Sequence, residues 1–247
     1  MNNKKNRFKC KLCLLLFTII ITLFNVQNSS ALTYVDNISI DKNKKIVYLT
    51  FDDGPSPVIT DKLLDILKKY DVKATFFVVG KEIPGREKIL SRIYEEGHSI
   101  GLHTYSHNIK KVYSSEDNFI KEMNIARDKV AKVTGYKSNI IRFPGGSYRR
   151  MTKHMLEELH ENNFKVYDWN VNLEDGVRPT LPVNTFINNA KKYNENYNRL
   201  IVLMHCNYNN INTVKALPGI IEYYKSLDYK FESITDNTKE YYYRLKK

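Results

Sequence analysis

The chain has 247 residues, of which 42% are hydrophobic and 12% aromatic, and it carries a formal net charge of +12 at pH 7. This composition excludes an intrinsically disordered chain and supplies enough apolar side chains for one sizeable core. The positive charge is spread along the sequence, without an Arg-rich run or a nucleic-acid-binding motif. We therefore expect no nucleic-acid partner.

The first 31 residues have the pattern of a segment that directs export. Basic residues cluster at positions 4–11, an apolar run covers positions 12–26, and small residues follow at positions 29–31. The apolar run is shorter than the roughly 20 residues of a membrane-spanning helix. We expect a signal peptide over residues 1–31, with an uncleaved N-terminal membrane anchor as the alternative. Residues 32–247 would then form a domain that is extracellular or held at the cell surface.

An exported domain with excess positive charge suggests an anionic partner. Removing residues 1–31 takes away five Lys or Arg residues and no acidic residue, which leaves 34 basic against 27 acidic side chains. We interpret this excess as attraction to an anionic cell wall surface, and a solvated lysine-rich surface without a partner remains the alternative. Cys206 is the one cysteine of this domain, so no intramolecular disulfide is available. We expect a monomer.

Short apolar runs alternate with amphipathic segments through the rest of the sequence. The runs predict strands at residues 45–51, 74–79, 98–103, 139–143, 165–170, 200–204 and 229–234. The amphipathic segments predict helices at residues 58–70, 84–97, 116–134, 152–162, 182–193 and 213–226. About seven strand–helix units in succession predict an α/β fold, a distorted (β/α) barrel of about seven strands.

Polar side chains that can carry chemistry follow the predicted strands at their C-terminal ends. These residues are Asp52, Asp53, His103, His107, Arg142, Asp168 and His205. In a (β/α) barrel such ends converge on one face, so we expect the active site there. Two adjacent carboxylates and two imidazoles four residues apart suit a metal-activated water, with three ligands and a spare carboxylate as base.

Five motifs in order carry a resemblance to a known family. They are Thr50-Phe-Asp-Asp-Gly-Pro55, His98-Ser-Ile-Gly-Leu-His-Thr-Tyr-Ser-His107, Arg142-Phe-Pro-Gly145, Asp168-Trp-Asn170 through Asp175, and Leu203-Met-His205. The sequence resembles polysaccharide deacetylases of the NodB-homology type, also called carbohydrate esterase family 4. The motifs span most of residues 32–247.

The resemblance implies a metal centre and a base. Asp53, His103 and His107 match the ligands of one divalent metal ion, and Asp52 matches the general base. Zn²⁺ is the expected metal, while Co²⁺, Ni²⁺ and Fe²⁺ would suit the same ligands. Water bound to such a metal can attack an amide carbonyl near neutral pH.

The resemblance also implies roles around the metal. Arg142 matches the arginine that orients the catalytic carboxylate, and the amide of Gly145 would help hold the oxyanion. His205 matches the general acid that protonates the departing amine, and Asp175 matches the carboxylate that holds this histidine. An imidazole, with its ordinary pKa of about 6.5, suits that proton transfer.

Residues that match the substrate-binding positions include departures from the family's pattern. Trp169 and Leu203 match positions that line the acetyl pocket. Gly145 stands where an aromatic residue is common, so part of the sugar platform is missing or comes from elsewhere, with Tyr148 as our candidate. Gly176, Asn172 and Cys206 also replace residues that are frequent in the family. These departures concern substrate specificity, because every group needed for the chemistry is present.

The expected activity is metal-dependent removal of acetyl groups from an N-acetylated cell-wall glycan, on N-acetylglucosamine of peptidoglycan. Similar domains serve N-acetylmuramic acid, chitooligosaccharides and O-acetyl xylan, and these substrates remain alternatives. A non-catalytic cell-wall-binding protein that retains the fold is an alternative from another class. An Fe²⁺ oxygen-dependent enzyme would share the ligands, but it gives Asp52 and His205 no clear role.

Overall fold

The computed structural model describes residues 44–246 of the chain. The predicted signal peptide or anchor over residues 1–31 lies outside the described residues. Within residues 44–246, the structure contains no helix that is both long enough and apolar enough to cross a membrane.

One sheet of parallel strands organises the described residues. Its path runs in the order β5-β4-β3-β2-β1-β7-β6, and β8 adds to β1 beside this path. The strands are β1 (Ile46–Gly54), β2 (Thr75–Val78), β3 (Ser99–Leu102), β4 (Ile140–Ile141), β5 (Lys165–Val166), β6 (Val171–Asn172), β7 (Arg199–His205) and β8 (Lys230–Phe231). The seven strands of the path curl into a half-barrel, which confirms the predicted α/β fold of distorted-barrel type.

Helices connect the strands, as parallel neighbours require. They are α1 (Ile59–Tyr70), α2 (Glu87–Glu95), α3 (Ile109–Val112), α4 (Glu116–Thr134), α5 (Lys153–Glu161), α6 (Val183–Ala190) and α7 (Ile211–Ser226). The bounds of α4 follow from its caps: the Ser115 hydroxyl accepts a hydrogen bond from the Asn118 amide, and Gly135 ends the helix with a φ of 72°. The predicted helix at residues 116–134 is therefore confirmed.

Alternation along β1 decides which side chains face the functional end. Val47, Leu49 and Phe51 belong to the large core cluster, whereas Tyr48 belongs to a second, smaller cluster. Because side chains alternate between the two faces of a strand, Asp52 lies on the same face as Tyr48. The second cluster also contains Phe77. Aromatic side chains therefore pack on the face of the sheet that carries Asp52.

The structure differs from the prediction mainly in short elements. The runs at residues 139–143 and 165–170 keep only two paired residues each, β4 and β5. The sequence did not predict β6, because two residues are too few for an alternation pattern. It likewise did not predict α3, a single helical turn between the candidate metal ligands and α4.

Candidate metal centre and active site

The end of β1 brings two adjacent carboxylates into one cleft. Successive side chains of a strand normally point to opposite faces. Asp53 instead has a φ of 73°, and the pairing with β2 shifts register between Asp52 and Gly54. As a result, Asp52 Oδ2 and Asp53 Oδ1 both lie 3.7 Å from His103 Nε2.

The two histidines come from the end of β3 and the loop after it. His103 is 2% exposed, and its Nδ1 lies 2.9 Å from the Arg142 carbonyl oxygen. Since a carbonyl can only accept, Nδ1 carries the proton, and Nε2 presents its lone pair to the carboxylates. His107 has a φ of 50°, and its Nε2 lies 3.3 Å from Asp53 Oδ1.

These three side chains fit a divalent metal ion. One ligand atom from each of Asp53, His103 and His107 lies within 4.8 Å of the others. Zinc bonds of about 2.0–2.2 Å at tetrahedral angles place neighbouring ligand atoms about 3.4 Å apart, close to the 3.3 and 3.7 Å found from Asp53 Oδ1 to the two imidazoles. Asp53 Oδ1 is buried and has no hydrogen-bond partner within the described residues, as a metal ligand would.

Neighbouring imidazoles favour the ionised form of Asp53. Burial acts to raise the pKa of its carboxyl, but His103, His205 and His107 outweigh burial and lower that pKa below its usual value. Asn207 adds a weak hydrogen bond, with its Nδ2 3.4 Å from Asp53 Oδ2. The sequence analysis did not single out Asn207, since an asparagine two residues after a candidate acid carries no pattern of its own.

A fully buried arginine positions Asp52. Arg142 Nη1 donates to Asp52 Oδ1 at 2.9 Å and to Thr50 Oγ1 at 2.7 Å. Its Nε donates to the Tyr167 carbonyl at 2.8 Å, and the guanidinium lies 4.1 Å above the centroid of the Phe77 ring. The guanidinium is therefore held from several sides, and the carboxylate it holds has Oδ2 directed towards the candidate metal ligands.

His205 and the buried Asp175 form a hydrogen-bonded pair on the other side of the cleft. His205 is the register partner of Asp52, so the β1–β7 pairing brings the two ends together. Its Nδ1 donates to Asp175 Oδ1 at 2.8 Å, and its backbone amide donates to Asp175 Oδ2 at 2.8 Å. Burial acts to lower the pKa of His205, but the Asp175 bond and the charges of Asp52 and Asp53 prevail and raise it to about 9.

Asp175 is itself held by two side chains that the sequence analysis missed. Thr213 Oγ1 donates to its Oδ2 at 2.7 Å, and Asn210 Nδ2 donates to its carbonyl oxygen at 3.1 Å. Both residues lie more than thirty positions further along the chain, at the start of α7. No local pattern could have connected them to Asp175.

The candidate substrate-binding residues are not all in one place. Leu203, on β7, is 4% exposed. Trp169 packs edge-on against Tyr243, whose hydroxyl donates to the Trp169 carbonyl at 2.8 Å.

Gly145 is exposed with a φ of 72°. Its amide donates to no acceptor within residues 44–246, so the amide is available to an oxyanion. Tyr148 is 54% exposed and lines a hollow with Arg149 and the C-terminal segment, not the cleft of the candidate metal ligands.

We expect Gly176→Ala to lower kcat about tenfold or more through His205. A Cβ at position 176 would lie 2.3 Å from His205 Cε1 and 2.4 Å from its Nε2, so the imidazole must move. Misplacing a proton donor by about 1 Å can cost about 100-fold. Steady-state kinetics on an acetylated glycan would measure the loss.

Gly219→Ala is the matched control for this substitution. Its new Cβ would meet Ile187 Cδ1 at 2.9 Å, the flexible end of a side chain away from the cleft. We expect its kcat to stay at the wild-type value. Equal kcat values for Gly176→Ala and wild type would contradict the placement of His205.

We expect Asp175→Asn to lower the pKa of His205 from about 9 in the metal-free protein, measured by NMR titration of its ring protons. The substitution removes the anionic acceptor at Nδ1, while burial continues to disfavour the imidazolium. The basic limb of the kcat/KM profile should move to lower pH with it.

Thr213→Val is the control, because it removes a donor to Asp175 and leaves the bond to His205 in place. We expect a smaller change in the pKa from this variant. An unchanged pKa of His205 in Asp175→Asn would contradict the assigned role.

The pKa of His205 is raised in the folded state. The stabilisation of the fold by the His205–Asp175 pair is therefore complete below about pH 6.5 and is lost as the pH rises towards 9.

The fold and the site define a parallel α/β half-barrel with a candidate Asp-His-His metal centre at the strand C-terminal ends. The family model for polysaccharide deacetylases matches residues 39–165, a range that contains the three candidate ligands. The chain belongs to the polysaccharide deacetylase family. The resemblance stated from the five motifs is thereby confirmed.

Relatives and solved structures agree with this assignment. The chain is 32% identical over 200 residues to a peptidoglycan-N-acetylglucosamine deacetylase of Bacillus cereus, covering 78% of this chain and 70% of the relative. It is 30% identical over 200 residues to the peptidoglycan-N-acetylmuramic acid deacetylase PdaA of Bacillus subtilis, covering 78% and 71%. The crystal structure of the polysaccharide deacetylase Bc1974 from Bacillus cereus superposes with a TM-score of 0.73 at 30% identity, covering 79% and 95%.

Proposed function

We propose that this protein hydrolyses the N-acetyl group of N-acetylglucosamine in peptidoglycan, with Zn²⁺ as its metal. The observation that carries the proposal is the joint placement of a carboxylate held by Arg142 and an imidazole held by Asp175 beside one set of candidate metal ligands. A base and an acid on the two sides of a metal centre suit amide hydrolysis. The similarity to peptidoglycan-N-acetylglucosamine deacetylases supports the choice of substrate.

Each residue has a defined task in this reaction. A divalent cation held by Asp53, His103 and His107 would lower the pKa of bound water and stabilise negative charge on the acetyl oxygen. Asp52 accepts the proton of the attacking water, and the Gly145 amide donates to the developing oxyanion. His205 gives its Nε2 proton to the departing amine nitrogen, so that one amide and one water become a free amine and acetic acid, which releases a proton to give acetate.

We also propose that the protein acts outside the cell or at the cell surface, delivered by residues 1–31. Its excess of basic residues in 32–247 would favour contact with an anionic wall. This location would bring the cleft to its polymer.

The test is acetate release by residues 32–247 from purified peptidoglycan, N-acetylglucosamine oligomers and acetylated xylan, each with Zn²⁺ and with chelator. We expect release from peptidoglycan that depends on metal, with free amines on its glucosamine units. Release from xylan alone, or amines on muramic acid alone, would overturn the substrate. The absence of release from every glycan, with metal bound, would favour the non-catalytic wall-binding alternative.

A further inference from the structure

A cleft of about 320 Å³ opens directly from the candidate metal ligands. Asp53 and His107 line its inner end. Its walls include two segments that the sequence analysis did not single out, the turn at residues 80–82 and the loop after β7. In the proposed reaction the reacting sugar lies at the candidate metal ligands, and the cleft is then placed to receive a neighbouring unit of the same polymer.

Tyr208 gives this cleft an aromatic wall. It is 79% exposed, and its ring packs against no other ring within residues 44–246. The Asn209 side-chain amide has no hydrogen-bond partner in this part of the chain either, so it is free to bind a hydroxyl or an acetamido group. An exposed aromatic face beside amide groups is a suitable surface for a sugar, which presents C–H groups on one face and hydroxyls at its edge.

The opposite wall carries one ammonium group that has no partner among residues 44–246. Arg86 forms an ion pair with Glu82 and donates to the Pro55 carbonyl, so its charge is already balanced. Lys81 is exposed, and its ammonium makes no hydrogen bond or ion pair within the described residues. When Asp53 holds a cation, the negative charge of its carboxylate is offset. The ammonium of Lys81 can then attract an anion to this wall of the cleft.

We propose that this cleft is a sugar subsite in which Tyr208 stacks on the unit next to the reacting one and Lys81 binds a carboxylate carried by that unit. The inference rests on the proposed function and adds the recognition of a carboxylate-bearing glycan. In peptidoglycan the carboxylate is the lactyl acid of the neighbouring sugar or an acid of the peptide attached to it. Chitin oligomers offer the stacking surface alone.

The stacking half of the proposal is tested by binding. The N-acetylglucosamine tetramer is titrated into metal-free protein and followed by NMR, which needs no turnover. We expect Tyr208→Ala to weaken binding about tenfold and Tyr208→Phe to bind as wild type. Tyr197→Ala is the matched control, since that exposed tyrosine precedes β7, at the end of the strand opposite the cleft, and it should have no effect. Equal affinities for Tyr208→Ala and wild type would overturn the subsite.

The charge half is tested with two kinds of peptidoglycan strands, one carrying peptides and one stripped by an amidase to free lactyl acids. We expect Lys81→Gln to lower kcat/KM about fivefold on at least one of these and to leave the tetramer unaffected. The strand type that loses activity identifies the source of the carboxylate. Lys62→Gln, an exposed lysine on α1, is the control. An equal loss on the tetramer, or no loss on either strand, would overturn the role of Lys81.

The experiments distinguish a failure of the proposed function from a failure of the sugar subsite. If wild type releases no acetate from any glycan, the proposed function fails, while the tetramer titration still reports on the subsite. If wild type is active and neither cleft variant changes binding or kcat/KM, the subsite fails and the proposed function stands.

Discussion

Replacing Asp52 with asparagine is expected to lower kcat about 100-fold or more, since a positioned general base contributes roughly 10²–10⁴-fold. Asparagine keeps the size of the side chain and can still accept from Arg142 Nη1, so the packing of this buried position should survive. It cannot accept the proton of the attacking water. Acetate release from peptidoglycan at saturating substrate measures the loss.

Measuring the metal content of the Asp52→Asn preparation shows whether Asp52 acts as the general base or as a metal ligand. Asp52→Asn should retain one equivalent of Zn²⁺, because Asp53, His103 and His107 supply the ligands. Asp53→Asn should lose both the metal and the activity. Wild-type turnover in Asp52→Asn would contradict its role as the base. Loss of metal from that variant would instead make Asp52 a ligand.

Arg142→Met is expected to lower the free energy of unfolding by about 3–5 kcal/mol, the cost of removing one partner of a buried ion pair. Arg142 is completely buried and Asp52 is 2% exposed, so the remaining carboxylate has little access to water. The variant also leaves the Tyr167 carbonyl without its donor. Urea denaturation of the metal-free protein measures the change.

Two further variants show whether the ion pair is the cause. Arg127→Met removes another arginine that stacks on a ring and donates to a backbone carbonyl, but no buried carboxylate depends on it. We expect a loss of about 1 kcal/mol there. The double variant Arg142→Met with Asp52→Asn should recover part of the stability, because no charge is then left buried. Equal losses for both single arginine variants would contradict this account.

The sequence predicted the functional end of the sheet better than its short outer strands. Asp52, His103 and His205 each follow a strong apolar run, and parallel strands bring their C-terminal ends together at one end of the sheet. The order of strands around the half-barrel could not be obtained this way, because pairing depends on contacts between distant segments. The pairing of β1 with β7, which places His205 beside Asp52, joins residues about 150 positions apart.

The site's supporting contacts were the least predictable part. Thr213 and Asn210 hold Asp175 from the start of α7, and nothing in their local sequence indicates this. The assignment of Tyr148 to the sugar platform stays a prediction. Its side chain lines a hollow separate from the cleft of the candidate metal ligands, whereas Tyr208 lines that cleft.

A titration of metal-free protein with Zn²⁺ during acetate release from peptidoglycan tests whether hydrolysis takes place at the Asp53–His103–His107 centre. We expect activity to rise in proportion to added metal and to stop rising at one equivalent per chain. His103→Ala should remain inactive throughout the titration. Acetate release at full rate in the presence of chelator, or no release once one equivalent is bound, would contradict hydrolysis at the Asp53–His103–His107 centre.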